Sequence, residues 1–158
     1  MPERRYWLVK SEPDVYSIDD LARDGETSWD GIRNYQARNF MRDEMRAGDR
    51  VLFYHSSASP PGVAGVAEVA RGGYPDPTAR DPSSDYHDPK ATADDPRWYM
   101  VDLRFVEKLP RLVPLPELKA DPALEDMLVT GRSRLSVQPV GRPHFEHVLA
   151  MARSEPTG

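Results

Sequence analysis

The 158-residue sequence contains no cysteine, which excludes disulfides, thiolate nucleophiles and thiolate metal sites within it. No apolar run approaches the roughly 20 residues that a membrane-spanning helix needs. The N-terminal residues lack the apolar core of a signal peptide and lead straight into a predicted strand. We therefore expect a cytoplasmic protein, or a nuclear one if the source is eukaryotic, with no membrane partner.

The sequence also lacks a basic excess, since 26 acidic residues stand against 21 basic ones and the formal net charge is −5. A protein that holds duplex nucleic acid by phosphate contacts alone usually has a basic balance. Residues 76–96, however, contain six acids and two bases, which accounts for −4 of the −5. The rest of the chain is close to neutral and can still carry a local basic patch.

Common signatures of enzymes and metal sites are missing as well. The chain has no GxSxG, GxxxxGK[ST], GxGxxG or HExxH pattern, and its four histidines lack paired ligand spacing. No pair of carboxylates stands out as a catalytic dyad, so acid–base catalysis has no support here. We therefore expect no metal, no cofactor and no catalytic residue, which leaves a set of side chains suited to binding.

Hydrophobic periodicity predicts an α+β fold, with about five or six strands and several short helices in one domain over residues 1–153 and a tail at 154–158. The predicted strands lie at 5–10, 50–55, 63–70 and 98–108, with an extended segment at 134–140. Helices are predicted to begin after Ser17, after Asn34 (running to about Met45) and at Pro143.

One stretch, at about 72–97, has no periodic pattern and is rich in proline and aspartate, with five prolines over residues 72–96. This composition predicts a long surface loop. A loop of that length inside a compact domain is usually functional or disordered. A lid over a site and a variable insertion are both compatible with the sequence.

The richest chemistry lies in residues 29–39, WDGIRNYQARN, which contain an indole, a phenol, two guanidinium groups and three side-chain amides. An aromatic plane beside amide and guanidinium donors suits a planar, hydrogen-bonding ligand such as a nucleobase. Trp29 precedes a predicted turn at Asp30-Gly31, so we expect a loop to hold its ring. Aromatic residues on loops are common stacking platforms for unpaired bases.

Other polar or aromatic residues stand at predicted strand ends. Lys10-Ser11 and His55-Ser56 each end a strand, where they serve either as surface turns or as parts of a site. Trp98 alternates away from the predicted core face of its strand, which suggests a stacking surface, although half-buried tryptophans are also common.

Arg38, Arg42 and Arg46 form a stripe at positions i, i+4 and i+8 of the helix predicted after Asn34. Such a stripe is either a solvated helix face or a set of phosphate contacts beside a base pocket. The sequence does not separate the two interpretations.

Together these segments resemble the EVE domain, a member of the PUA-like superfamily that also includes YTH, ASCH and SRA-type base readers. The matching motifs follow the family's order through nearly the whole chain, and the long ones are specific. They include YWLVKSEP at 6–13, WDGIRNYQARN at 29–39, FYHS at 53–56, WYMVD at 98–102 and RLSVQPV at 134–140. Ile32 and Ala64 are conservative departures, and residues 77–96 are the part that does not align.

The resemblance implies a PUA-like fold, meaning a curved sheet or pseudo-barrel flanked by helices, with a pocket for a flipped, modified base. It implies that Trp29 and Trp98 wall the pocket. Polar contacts to the base edge or to an adjacent phosphate are expected from Lys10, Ser11, Asn34, Arg38 and Asn39. The expected pocket floor comprises His55, Ser56, Ser136 and Gln138. Phosphate contacts are expected from Arg33, Arg42 and Arg134.

Three functions remain open on this basis. The first is a non-catalytic reader of a modified base in DNA, most of all modified cytosine, and the second is a reader of modified RNA. The third is an enzyme acting on nucleotides or modified bases, which needs a pocket carboxylate of raised pKa, with Glu12 and Asp30 as the nearest candidates. Burial of one methyl group contributes only about 0.8 kcal/mol, so a reader is expected to discriminate modestly and bind with weak or moderate affinity.

Overall fold

The computed structural model describes residues 4–58, 60–131 and 135–153, which form a six-stranded mixed sheet. The strands are β1 (Tyr6–Ser11), β2 (Glu26–Trp29), β3 (Arg50–His55), β4 (Gly62–Pro75), β5 (Tyr99–Pro114) and β6 (Val137–Val140). Their order is β2-β5-β4-β3-β1-β6; β1 and β3 are parallel, and the other neighbours are antiparallel. The sheet is open, with β2 and β6 at its edges. The predicted α+β fold of five or six strands is confirmed.

Short helices flank the sheet, and local hydrogen bonds fix where two of them begin. The helices are α1 (Ile18–Asp24), α2 (Tyr35–Asn39), α3 (Leu115–Ala120) and α4 (Arg142–Arg153). Ser17 and Asp20 form a capping box at the start of α1. The side-chain oxygen of Asn34 accepts a hydrogen bond from the Ala37 N–H at 2.9 Å, which caps α2. Both predicted helix starts are confirmed.

The helix predicted to run to about Met45 is not uniform. After α2 the chain continues as a π-helical segment, Phe40–Glu44, which ends where the Met45 N–H donates to the Phe40 carbonyl. Because the residues per turn change, the i, i+4, i+8 stripe predicted for Arg38, Arg42 and Arg46 is not a regular α-helical row.

Both faces of the sheet are covered, since successive residues of β1 pack on opposite sides. Trp7 and Val9 belong to one apolar cluster and Leu8 to another. We call the Trp7 side, which also contains buried residues of α1, α2 and the π-helix, the first face. The Leu8 side, packed against α3 and α4, is the second face. Sheets covered on both sides give strands that are nearly continuously apolar, as β1 and β3 are here.

The aperiodic segment begins later than the predicted position 72, because β4 continues to Pro75. Gly73 permits this extension, since a Cβ there would lie 2.3 Å from the carbonyl oxygen of Met41. From Asp76 to Arg97 the chain has one 3-10 turn, Pro77–Arg80, and no strand before β5. We call residues 76–97 the strap.

Candidate functional site

A cavity of about 550 Å³ lies where the end of β1 and the end of β2 come together. Its walls come from the exit of β1, the turn before α1, β2 with the turn that follows it, and one residue of the strap. The lining residues are Lys10, Ser11, Glu12, Val15, Tyr16, Thr27, Ser28, Trp29, Asp30, Gly31, Ile32 and Tyr86. This volume is within the usual range for small-ligand pockets, roughly 300 to 1,000 Å³.

Trp29 supplies a fixed aromatic wall to this cavity. It is the last residue of β2, paired with Val101 of β5, and is only 9% exposed. Its ring packs edge-on against Phe53, with ring centroids 5.5 Å apart, and against Tyr16 at 6.4 Å. The expectation that a loop holds this ring is wrong, because strand pairing and core packing fix it.

Charged and polar groups stand around the same cavity. Ser11 Oγ donates to the Tyr16 carbonyl at 2.6 Å, which fastens the turn that forms one wall. Burial lowers the pKa of Lys10, whose ammonium lies 5.9 Å from the ring centroid of Tyr54. Burial, and then the nearby charge of Asp76, raise the pKa of Asp30. The cavity thus combines an aromatic wall with hydrogen-bonding groups of both kinds.

The strap is tied to the cavity through the fully buried carboxylate of Asp76. This carboxylate accepts hydrogen bonds from the Gly31 N–H at 2.8 Å, from Thr78 Oγ1 at 2.6 Å and from Arg33 Nη1 at 3.2 Å. Burial alone would raise the pKa of Asp76, but these donors together hold it below its ordinary value. An ionised carboxylate therefore joins the start of the strap to the turn after Trp29.

Arg33 lies beneath the strap and uses its guanidinium group on protein acceptors. Nη2 and Nε donate to the carbonyl of Tyr86 at 2.6 and 3.1 Å, and Nη2 also donates to Thr78 Oγ1 at 3.2 Å. The guanidinium carbon lies 5.2 Å from the ring centroid of Trp98 and 5.6 Å from that of Tyr86. Its predicted phosphate contact stays a prediction.

The ring of Trp98 is largely covered, and its predicted role as a stacking surface stays a prediction. The residue is 5% exposed; its indole Nε1 donates to Asp88 Oδ2 at 2.7 Å, and its ring stacks on Tyr35 with centroids 4.8 Å apart. Trp98 directly precedes β5, and the strap and α2 cover its ring. It is absent from the described residues that line the cavity.

Residues 34–39 likewise lie beside Trp98 and not at the cavity. Arg38 Nη1 donates to the Arg97 carbonyl at 2.8 Å, and its Nη2 donates to Asn39 Oδ1 at 2.9 Å. Asn34 uses its side-chain oxygen as the helix cap. The motif is therefore divided: residues 29–32 line the cavity, and Arg33, Tyr35 and Arg38 contact the strap. Base contacts by Asn34, Arg38 and Asn39 stay predictions.

The four residues predicted for the pocket floor lie behind the exit of β1. His55 Nε2 accepts from the Ile18 N–H at 3.1 Å, and burial lowers the pKa of its imidazole. The Ser56 N–H donates to the Ser11 carbonyl, and the Ser136 carbonyl accepts from the Lys10 N–H, each at 2.9 Å. Gln138 is buried and donates to the Leu135 carbonyl. These groups support the strand that carries Lys10 and Ser11; their own binding roles stay predictions.

The two remaining predicted phosphate contacts are Arg42 and Arg134. Arg42 pairs with the exposed Asp43 at 2.8 Å, and Arg134 lies outside the described residues. Both roles stay predictions. Over the described ranges, no cluster of three or more acidic or histidine side chains is arranged to hold a metal ion, and no helix is long and apolar enough to cross a membrane.

Five cavity residues were not predicted from the sequence: Val15, Tyr16, Thr27, Ser28 and Tyr86. One signal for Tyr86 was available, because it is the only Phe, Tyr or Trp between positions 76 and 97. A single aromatic ring in a polar loop is a common sign of a contact residue. Nothing in the sequence pairs it with Gly31.

The fold and cavity define a class of protein, an α+β domain whose strand ends frame a cavity of small-ligand size. A family model for the EVE domain matches residues 5–151, and the chain belongs to this family. Thymocyte nuclear protein 1 of Homo sapiens is 39% identical to it, covering 96% of this chain and 76% of that protein. The same protein of Danio rerio is 41% identical, covering 98% and 75%.

Solved structures agree on the architecture. A hypothetical protein from Leishmania major superposes with a TM-score of 0.90 at 50% identity, covering 96% of each chain. Human THYN1 protein in complex with 5-methylcytosine-containing DNA gives a TM-score of 0.90 at 39% identity, covering 96% of this chain and 99% of that one. An ASCH protein mutant from Zymomonas mobilis, at 10% identity and a TM-score of 0.55, shows likeness of fold alone. The PUA-like fold is confirmed.

Proposed function

We propose that this chain is a non-catalytic DNA-binding domain that reads a modified base, most of all modified cytosine, in the cavity beside Trp29. The observation that carries the proposal is the cavity itself, about 550 Å³, with a rigid indole wall next to carboxylates and hydroxyls. The complex of the human THYN1 protein with 5-methylcytosine-containing DNA supports both DNA and the modification.

Energetically, the pocket must compensate for taking a base out of the duplex. Flipping costs a few kcal/mol, while stacking on an aromatic side chain returns roughly 1 to 3 kcal/mol per base. Trp29 offers its ring at little entropic cost, because Phe53 and Tyr16 already hold it. Hydrogen bonds to the base edge supply the rest.

The polar lining favours a base that presents an amino group. Glu12 and Asp30 are carboxylates, and carboxylates accept hydrogen bonds from the exocyclic amino group of cytosine. Thymine and uracil present a carbonyl oxygen at that position, which a carboxylate does not satisfy. The cavity therefore offers acceptors for the amino group of cytosine, beside the donor Lys10.

Discrimination between methylated and unmodified cytosine is modest on this account, since one buried methyl contributes about 0.8 kcal/mol, or roughly fourfold in affinity. The net charge of −5 also argues against strong binding through phosphates. A polar modification that satisfies a buried group raises the selectivity. We also propose that the protein is cytoplasmic, or nuclear if the source is eukaryotic.

The test is titration of the protein with short oligonucleotides that carry cytosine, 5-methylcytosine or 5-hydroxymethylcytosine at one position, as DNA and as RNA at one salt concentration. We expect the tightest binding for modified DNA. Equal affinity for all three bases contradicts the proposal. Tighter binding of modified RNA than of modified DNA indicates that the protein reads RNA instead. Asp30, a cavity carboxylate whose pKa burial raises, meets the condition for an enzyme. Mass analysis of the recovered oligonucleotides detects a chemical change, which would instead indicate an enzyme.

A further inference from the structure

Tyr86 is the one residue of the strap that lines the cavity, although the strap is far from β1 and β2 in sequence. The residue is 46% exposed. Gly31 lies directly against this ring, since a Cβ on Gly31 would come within 2.8 Å of the Tyr86 ring carbons. The ring therefore closes over the turn that follows Trp29.

The backbone of Tyr86 is clamped by Arg33. Two nitrogens of the guanidinium group donate to the Tyr86 carbonyl, at 2.6 and 3.1 Å. Arg33 in turn pairs with Asp76, the same buried carboxylate that accepts from the Gly31 N–H. Asp76 thus holds Gly31 directly and holds Tyr86 through Arg33.

The far end of the strap is anchored as well. Asp88 accepts a hydrogen bond from the Trp98 indole at 2.7 Å, and Arg97 Nη2 donates to the Tyr35 hydroxyl at 2.6 Å. Together with the contacts of Asp76 at the start of the strap, they hold it on both sides of Tyr86. An aromatic ring whose backbone is already ordered loses little conformational freedom when a ligand stacks on it.

We propose that Tyr86 is a second aromatic contact for the base, added to the pocket by the strap, and that Arg33 is the residue that positions it. The inference rests on the proposed function and names the part of the site that the strap contributes. It makes residues 76–97 a built part of the binding pocket and gives Arg33 a role other than phosphate contact.

The direct test compares Tyr86→Ala with His87→Ala, which removes the adjacent exposed ring of the same strap. We expect Tyr86→Ala to weaken binding of a 5-methylcytosine DNA oligonucleotide by roughly 5- to 150-fold, the range for loss of one base–aromatic stack. We expect Tyr86→Phe to bind nearly as well as the parent, since it keeps the ring. Equal affinity of Tyr86→Ala and His87→Ala overturns the proposal.

Arg33 is tested by the dependence of affinity on salt in Arg33→Gln. A residue that contacts phosphate lowers the slope of log K against log salt by about 1 when its charge is removed. Loss of a residue that only positions Tyr86 weakens binding and leaves that slope unchanged. This is the result we expect for Arg33→Gln. A slope reduced by about 1 overturns the positioning role.

Chymotrypsin cleavage after Tyr86, compared between Arg33→Gln and the parent, reports release of the strap. We expect faster cleavage of Arg33→Gln, and an unchanged rate contradicts the clamp.

Failure of this inference is distinguishable from failure of the proposed function. If the parent protein binds modified and unmodified DNA equally, the proposed function fails whatever Tyr86 does. If the parent binds modified DNA more tightly than unmodified DNA, and Tyr86→Ala has the same affinities, only the role of Tyr86 fails. Because Tyr86 is half exposed, we expect its alanine variant to fold, with circular dichroism as the check, so the test does not depend on the stability of Arg33→Gln.

Discussion

The two faces of the sheet are built from similar apolar side chains but differ in what else they carry. The second face packs Leu8 and Leu52 against residues such as Phe145 and Val148 of α4. The first face borders the cavity, and the two buried carboxylates of the described chain, Asp49 and Asp76, contact its residues and the turn at Gly31. The second face is an apolar cluster, whereas the first face combines apolar packing with buried carboxylates beside the cavity.

The largest expected effect is that of Asp76→Ala, because this change removes the carboxylate from Gly31, Arg33 and Thr78 together. Breaking a buried ion pair at one partner costs about 3 to 5 kcal/mol. We expect that loss in urea unfolding, accompanied by weaker binding of modified DNA. A loss below about 1 kcal/mol, or unchanged binding, contradicts the view that Asp76 joins stability to the site.

Phe145→Ala provides the contrasting case on the second face. Phe145 is buried and packs on Tyr6 with ring centroids 4.7 Å apart, so its truncation leaves a cavity in the core. We expect a loss of about 3 to 5 kcal/mol in unfolding free energy. The ratio of affinities for modified and unmodified DNA, measured where the variant is folded, is expected to stay the same. A changed ratio breaks the distinction between the faces.

Trp29→Leu sharpens the comparison within the first face. Leucine keeps much of the apolar packing against Phe53 but removes the flat ring, so binding is expected to fall by roughly 5- to 150-fold. The control is Leu128→Ala, an exposed residue beside the second-face core. A Trp29→Leu variant that binds like the control removes Trp29 from the pocket wall.

The smallest expected effect is on the pH dependence of stability. The pKa of Asp76 is lowered on folding, so its contribution is present above the unfolded value of about 3.8 and is lost as the pH falls through the lower folded value. The free energies of unfolding of the parent and of Asp76→Ala, measured in urea, are therefore expected to differ most above pH 4. The difference is expected to become smaller at lower pH. A difference in unfolding free energy that increases as the pH falls contradicts the lowered pKa of Asp76.

How far the sequence predicts the fold and the site depends on the range of the interactions. The caps at Ser17 and Asn34 were predictable, because each hydrogen bond spans three residues. The clamp of Arg33 on Tyr86 spans 53 residues and ends in a segment without periodicity. The burial of Trp98 was missed because its partner Asp88 lies in that same segment.

Local pattern also failed where the backbone geometry changes. The π-helix at Phe40–Glu44 follows directly from α2, and the apolar positions Met41 and Met45 are both buried. The hydrophobic pattern therefore predicted a helix there and did not show its type. The resemblance to the EVE domain placed Trp29, Lys10 and Ser11 near one another, and all three line the cavity.

The central claim, that the base binds in the cavity beside Trp29, is tested most directly by the indole N–H signals of the three tryptophans in a 15N-labelled sample. Trp29 lines the cavity, Trp98 donates to Asp88 of the strap, and Trp7 donates to the buried Asp49 at 3.0 Å. On titration with 5-methylcytosine DNA, we expect the Trp29 signal to shift most, the Trp98 signal less, and the Trp7 signal to stay in place. Saturable binding that leaves the Trp29 signal unmoved contradicts the claim.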